Sequence, residues 1–60
     1  MKTYAIYYRH VDSNITSVVY IWADSRCQAI DDGLAYIVEA ERMELSEIDI
    51  CFIEEVEYYG

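Results

Sequence analysis

The sequence predicts an α+β fold of order β-β-α-β, a three-stranded sheet with one helix packed on one face. Two observations predict it. Residues 24–43 carry capping residues and an apolar stripe of helical period. Runs rich in β-branched and aromatic residues flank this segment, two before it and one after it. A chain of 60 residues is expected to be a single domain, residues 1–60.

The first two predicted strands form a hairpin. Residues 3–11 and residues 15–23 are rich in tyrosine, valine and isoleucine and contain no glycine or proline. Between them, residues 12–14 read Asp-Ser-Asn, a cluster typical of turns. A loop this short joins antiparallel neighbours.

The helix is predicted over residues 24–43. Ser25 and Gln28 have the spacing of a capping box, and Asp24 is a rival cap one residue earlier. Gly33 is unfavourable inside a helix by about 1 kcal/mol relative to alanine, so it is either tolerated or needed for a close approach. The apolar stripe that should face the sheet comprises Cys27, Ile30, Leu34, Ile37 and Val38.

The third strand is predicted over residues 48–58, after a connection at residues 44–47. Glu54 and Glu55 interrupt its alternation and suggest a bulge, or the point where the strand leaves the sheet. A right-handed crossover makes the second and third strands parallel. Placing the first strand between them gives antiparallel pairs on both sides and the order 2-1-3.

One helix covers one sheet face and leaves the other in need of a partner. The face predicted to lie under the helix holds Tyr4, Ile6, Tyr8, Val19, Ile21, Ile48, Ile50 and Phe52. The opposite face would hold Ala5, Tyr7, Val18, Tyr20, Trp22, Cys51 and Ile53. Tyr7, Tyr20, Trp22 and Ile53 are the interface residues that this arrangement predicts, either in a homodimer or against a larger protein.

No residue pattern indicates catalysis, a metal site or a cofactor, so we expect a protein that is not an enzyme. His10, the only histidine, has no catalytic partner nearby in sequence. The Asp31-Asp32-Gly33 segment lacks the alternating ligands of a calcium loop. Cys27 and Cys51 lack metal-binding spacing and are expected to be free, buried thiols in a reducing compartment.

Acidic residues are concentrated in the C-terminal third of the chain. Residues 1–38 carry a net charge of −1, whereas residues 39–60 carry eight acids and one base, a net charge of −7. This charge should repel nucleic acid and anionic membranes and attract a basic protein surface. On one face of an extended strand, Asp49, Glu55 and Glu57 would form a row at a spacing comparable to that of phosphates, although a purely solubilising role remains open. The predicted partner-binding acids are Glu44, Glu47, Asp49, Glu54, Glu55 and Glu57.

The N-terminus resembles a strand and not a signal peptide, and no apolar run is long enough to span a bilayer. The protein is therefore expected to be soluble and cytoplasmic.

The chain resembles the small acidic phage-encoded inhibitors of bacterial defence, anti-CRISPR proteins among them. The features that carry the resemblance are the aromatic hairpin of residues 4–22, the capped helix from Ser25 and the acidic-aromatic tail of residues 54–59. The resemblance implies stoichiometric inhibition, in which the protein occupies a basic site on a nucleic-acid-handling complex in the host cytoplasm. It implies that Asp49, Glu54, Glu55 and Glu57 lie at the contact.

Two other functions stay open at this point. The protein could be a small homodimer that uses its aromatic sheet face without any mimicry. It could also bind a small molecule on that face, in which case a ligand would raise its thermal stability.

Overall fold

The computed structural model describes residues 1–57, and residues 58–60 lie outside the described part. The described elements are β1 (Lys2–His10), β2 (Ser17–Ala23), α1 (Arg26–Glu41), a single 3₁₀ turn (Leu45–Glu47) and β3 (Ile48–Val56). The predicted extension of the third strand to Tyr58 falls outside the described residues. The hairpin loop is longer than predicted, because β1 ends at His10 and β2 starts only at Ser17.

The sheet has the order β2-β1-β3, and β1 is antiparallel to both neighbours, as predicted. β2 and β3 therefore run parallel on either side of β1. In the register, Ile6 lies opposite Val19 on one side and opposite Ile53 on the other. The fold class is α+β, with α1 on one face of the sheet.

The helix begins where the capping residues place it. Ser25 has extended backbone angles, and its Oγ accepts a hydrogen bond from the Gln28 N–H at 3.2 Å. The Asp24 N–H in turn donates to Gln28 Oε1 at 3.3 Å, which makes Ser25 the cap and Asp24 the residue before it. The helix ends at Glu41, followed by Arg42 in the left-handed region at φ 54°. It is shorter than predicted by two residues at each end.

The core lies between α1 and the sheet face beneath it. Tyr4, Ile6, Ala23, Ala29 and Ile53 form the buried cluster, with Val19, Ile21, Ile30 and Ile50 packed against it.

Ala29, Gly33 and Ile37 form the buried line of α1, each one turn from the next. Cys27 is exposed, so its assignment to the core stripe is wrong. Six residues separate Cys27 from Gly33, a rotation that leaves its side chain about 120° away from the buried line. Ile30, Leu34 and Val38 are only half-buried along one flank.

A β-bulge in β3 changes which side chains lie on each face. Tyr7 pairs with Phe52 but Tyr8 pairs with Ile50, so Cys51 is the extra residue. The predicted bulge at Glu54 and Glu55 is therefore misplaced. The shift moves Phe52 to the face turned away from α1 and brings Ile53 into the core, the reverse of the prediction. Cys51 is exposed, and the expectation that both thiols are buried is wrong, although both are free.

Gly33 is a point of close approach between helix and sheet. A Cβ added there would lie 2.5 Å from Ile6 Cδ1 and 3.5 Å from Ile21 Cγ1. Ile6 is fully buried, so its side chain has little room to move aside. Of the two explanations open from the sequence, close approach is the one that the structure supports.

We expect Gly33→Ala to destabilise the protein although alanine is the better helix former. Overpacking against Ile6 costs about 1–3 kcal/mol, which exceeds the roughly 1 kcal/mol gained in helix propensity. Ile6→Val removes the colliding Cδ1 atom at a cost of about 1 kcal/mol. In that background Gly33→Ala should become stabilising. Urea denaturation of the four proteins measures the coupling, and simple additivity would contradict the close-contact explanation.

Tyr8 links β1 to the end of the helix, because its Oη donates a hydrogen bond to Glu41 Oε2. This hydrogen bond, together with burial of the ring and the Glu41 charge, raises the pKa of Tyr8 to about 12.

Because the pKa of Tyr8 is raised on folding, its contribution to stability is complete below pH 10 and is lost as the pH rises towards about 12. The difference between the 295 nm titration curves of the wild type and Tyr8→Phe should have its midpoint near pH 12. Stability of Tyr8→Phe should correspondingly change less than that of the wild type between pH 10 and 12. A midpoint near pH 10 in a protein that circular dichroism shows to be folded would contradict the Tyr8–Glu41 hydrogen bond.

Candidate protein-binding site

The sheet face turned away from α1, called the open face below, carries an exposed aromatic surface. Trp22 is 68% exposed and Tyr20 is 59% exposed on β2, and Phe52 is 57% exposed on β3. Val18 is also exposed, and Tyr7 lies between Val18 and Phe52 in the sheet. Apolar side chains on three adjacent strands thus form one continuous surface in solvent, which is a property of interaction sites.

Strand periodicity explains why these side chains share a face. On β2 the odd-numbered residues from Val19 to Ala23 point to the helix, so Val18, Tyr20 and Trp22 point away from it. The rings of Tyr7 and Phe52 lie with centroids 5.9 Å apart and planes tilted by 42°, a favourable aromatic contact across the two strands. This contact orients two of the rings of the surface relative to each other.

Three of the four predicted interface residues, Tyr7, Tyr20 and Trp22, lie on the open face. Ile53 does not, because it is only 6% exposed and packs in the core. Phe52 occupies the equivalent place on the open face, and sequence analysis missed it. Two consecutive large apolar residues, Phe52 and Ile53, break the alternation of a half-buried strand, and this was the signal that a bulge precedes them.

The predicted row of acids is divided between the two faces by the same bulge. Asp49 lies opposite Arg9 on the open face and Glu55 lies opposite Tyr4 on the helix side. Asp49 Oδ2 pairs with Arg9 Nη2 at 2.8 Å, and Glu55 Oε1 pairs with Lys2 Nζ at 3.4 Å. A straight row of Asp49, Glu55 and Glu57 along one face is therefore wrong.

Glu47 has a structural role in the described chain. Its Oε1 accepts from the Glu44 N–H at 2.9 Å, and its Oε2 lies 3.0 Å from His10 Nε2. Because His10 Nδ1 accepts from the Asp12 N–H at 3.0 Å, Nε2 is the ring nitrogen that carries a proton and donates a hydrogen bond to Glu47. The Glu44 N–H, followed by His10, lowers the pKa of Glu47. These contacts connect the end of β1 to the turn that precedes β3.

Three of the predicted partner-binding acids, Glu44, Glu54 and Glu57, are exposed to solvent. Glu54 lies opposite Ala5 on the open face and, within residues 1–57, forms no ion pair. Glu57 is exposed just beyond the end of β3. The open face therefore combines an apolar centre with an acidic margin.

A shallow apolar groove of about 320 Å³ lies beside α1, away from the open face. Its walls are Leu34, Ala35 and Val38 of the helix and Leu45 of the 3₁₀ turn, with Asp31 at the rim. The Asp31–Asp32 pair is exposed on the helix surface, as a solvated helix face should be. Over residues 1–57, no group of three or more His, Cys, Asp or Glu side chains is arranged to hold a metal ion.

Comparison with protein-family models, curated proteins and solved structures finds no match to this chain. In the described part, no helix has the length and apolar character needed to cross a membrane.

We expect Glu47→Gln to lower the melting temperature at pH 7, because the lowered pKa means that the folded state favours the Glu47 carboxylate. The stabilisation is present above the usual glutamate pKa and is lost as the pH falls through the lowered value. The melting temperatures of the two proteins should therefore converge at acid pH. Equal melting temperatures at pH 7 would contradict a structural role for Glu47.

Proposed function

We propose that this chain is a non-catalytic binding protein that docks its open face on a partner protein. The observation that carries the proposal is the contiguous exposure of Val18, Tyr20, Trp22 and Phe52. Aromatic side chains lose little conformational entropy on binding and dominate the energetics of protein interfaces. They lie here on hydrogen-bonded strands and not on loops, so little backbone ordering should accompany binding.

The charge of the chain defines the chemistry of that partner. The net charge is −8, and the open face carries Glu54 on one side of Phe52 along β3 and the Arg9–Asp49 pair on the other side. A complementary surface has an apolar centre and a basic rim, because like charge would oppose the approach. Protein surfaces that bind nucleic acid have this basic character and often carry exposed apolar or aromatic side chains.

The specific form of the proposal is an inhibitor that occupies a basic nucleic-acid-binding site, similar to an anti-CRISPR protein in the host cytoplasm. Exposed acids at Glu44, Glu54 and Glu57 would take the place of phosphates around the aromatic contact. Direct binding of nucleic acid by this chain is not part of the proposal. Arg9 is the base on the open face among the described residues, and Asp49 neutralises it at 2.8 Å.

A homodimer formed by stacking two open faces is the alternative. Such a stack would bury Glu54 and the Arg9–Asp49 pair between two chains that each carry a net charge of −8. Burying charges without new partners is unfavourable, so a basic partner fits this face better than a second copy.

Capture of proteins from bacterial lysate by tagged variants tests the use of the open face. Trp22→Ala and Phe52→Ala remove aromatic rings on two different strands of this face. Tyr36→Ala is the matched control, because Tyr36 is an aromatic residue on α1 with a similar exposure of 56%. We expect at least one captured protein that the wild type and Tyr36→Ala retain equally. Both open-face variants should retain at least about tenfold less of it, which is the effect of removing a single hot-spot residue. Equal retention by all four proteins would contradict the proposal.

The same capture tests the acidic margin with heparin as a polyanion competitor. Heparin and high salt should each release the captured protein if its contact surface is basic. Glu54→Lys should weaken capture, whereas Asp32→Lys, the same charge change on the exposed helix surface, should not. The captured protein could instead resist heparin and bind Glu54→Lys as well as it binds the wild type. That result would contradict binding at a nucleic-acid site but would be consistent with the aromatic contact.

A further inference from the structure

The two outer edges of the sheet differ in their protection against further strand pairing. Within residues 1–57, β2 and β3 each pair only with β1, so each has one edge of backbone N–H and C=O groups without a strand partner. β3 carries the bulge at Cys51 and the acids Asp49, Glu54 and Glu55, which are devices that prevent edge-to-edge pairing. β2 reads Ser-Val-Val-Tyr-Ile-Trp-Ala, pairs with β1 in an unbroken register, and has neither charge nor proline. Its edge is unprotected.

We propose that β2 pairs with β2 of a second copy of this chain, antiparallel, to form one continuous six-stranded sheet. This inference concerns the edge of the sheet and does not depend on the partner proposed for the open face. A strand with high β-propensity and no charge is a template for such pairing, and a two-fold axis satisfies both copies at once.

The sequence of β2 is self-complementary around Tyr20. With Tyr20 on the two-fold axis, Val18 lies opposite Trp22 of the other copy and Val19 lies opposite Ile21. Pairs of aromatic and β-branched side chains are favourable in directly opposite positions. Even-numbered residues meet even-numbered ones, so the two open faces lie on the same side of the joined sheet and the two helices lie on the other.

The distribution of charge also favours this edge. Eight of the twelve acids lie in residues 39–60, which include the end of α1, the 3₁₀ turn and β3. β1 separates β3 from β2, so two copies that meet at β2 keep the acids of β3 at the far ends of the joined sheet. Pairing through the β3 edges would instead bring the same acids together.

The position of α1 is compatible with the pairing. Its close approach at Gly33 is to Ile6 of β1 and Ile21 of β2, which places this part of the helix above those two strands. Because neighbouring strands lie only about 4.8 Å apart, the two helices would lie side by side across the two-fold axis and pack against each other there.

The exposed ring of Tyr36 lies on the flank of α1 that would face the other copy. Leu34 and Val38 line the opposite flank beside Leu45, which leads into β3. At 100° per residue Tyr36 points about 160° away from Leu34, towards the β2 side of the sheet. Asp32 lies on the same flank, so repulsion there should be screened by salt.

Sedimentation equilibrium of the purified protein tests the proposal with two matched variants. Tyr20→Lys and Phe52→Lys introduce the same charge at equally exposed aromatic positions of the open face, but only Tyr20 lies at the β2 edge. We expect a wild-type dimer whose dissociation constant falls as NaCl is raised. Tyr20→Lys should raise that constant at least about tenfold, since like charges then lie directly opposite on the axis, and Phe52→Lys should leave it nearly unchanged.

Two outcomes overturn the proposal. One is a wild type that stays monomeric at high concentration in high salt. The other is a dimer that both lysine variants weaken equally, because that pattern indicates stacked open faces. Far-ultraviolet circular dichroism of each variant confirms that the comparison is between folded proteins.

A disulfide trap gives a second, independent measurement. Directly opposite residues of antiparallel strands have Cα atoms about 4.5–5.5 Å apart, within the range that a disulfide spans. In a background of Cys27→Ser and Cys51→Ser, Tyr20→Cys should form a covalent dimer with oxidised glutathione. Phe52→Cys in the same background should form disulfide-linked dimers no faster than random collision would produce them. Equal cross-linking at both positions would contradict pairing at β2.

The dimer test uses the purified chain alone and the capture test uses an external partner, so the two proposals can fail separately. The Phe52→Ala variant should no longer capture the partner protein, but it should still dimerise as the wild type does. Loss of both in Phe52→Ala would indicate that self-association occurs through the open face, which overturns edge pairing.

Discussion

The close approach of α1 to the sheet at Gly33 is the constraint on which the other features of this fold depend. Without a Cβ at this position, the helix backbone lies directly against Ile6 and Ile21. The 16-residue helix is thereby held above β1 and β2. Its half-buried flank beside the 3₁₀ turn then forms the shallow groove, and the opposite sheet face has no cover within the described chain. The surfaces available for binding follow from where this one contact places the helix.

Topology was predictable because it depends on local signals and connection lengths. Ser25 and Gln28 mark the start of α1 in the sequence. In the structure Ser25 Oγ accepts from the Gln28 N–H as the cap predicts, whereas Gln28 Oε1 accepts from the N–H of Asp24 and not from that of Ser25. A short hairpin fixes β1 beside β2, and a helical crossover brings β3 back parallel to β2, which leaves the other side of β1 for it. No tertiary information is needed for these steps.

The assignment of side chains to faces was less predictable, because one inserted residue reverses the alternation that follows it. Both Phe52 and Ile53 are apolar, so binary patterning cannot decide which of them belongs to the core. The register opposite Ile6 decides it, and this register depends on how β1 and β3 pair and not on either strand alone. The predicted burial of Cys27 was wrong for a related reason, because a stripe of apolar residues in the sequence does not show where on the helix the buried line is centred.

Counting acids in the sequence overestimated the negative charge that is available to a partner. Lys2 and Arg9 are distant in sequence from Glu55 and Asp49, but the pairing of β1 with β3 brings each base to its acid. The carboxylate of Glu47 accepts hydrogen bonds from the Glu44 N–H and from His10. The imbalance of −7 in the last third is therefore partly neutralised within the fold, whereas Glu54, on the open face, forms no ion pair within residues 1–57.

The two proposed contacts share β2, and their coincidence there has a physical basis. A 60-residue domain buries only about 60% of the surface that its unfolded chain exposes, so each additional covered apolar residue matters to its stability. The strand with the largest exposed aromatic residues, Tyr20 and Trp22, is also the strand without charge. The acids of residues 39–57 lie elsewhere, on the end of α1, the 3₁₀ turn, β3 and the residue after it. This division leaves β2 free of the charges that would oppose contact, both along its edge and across its open face.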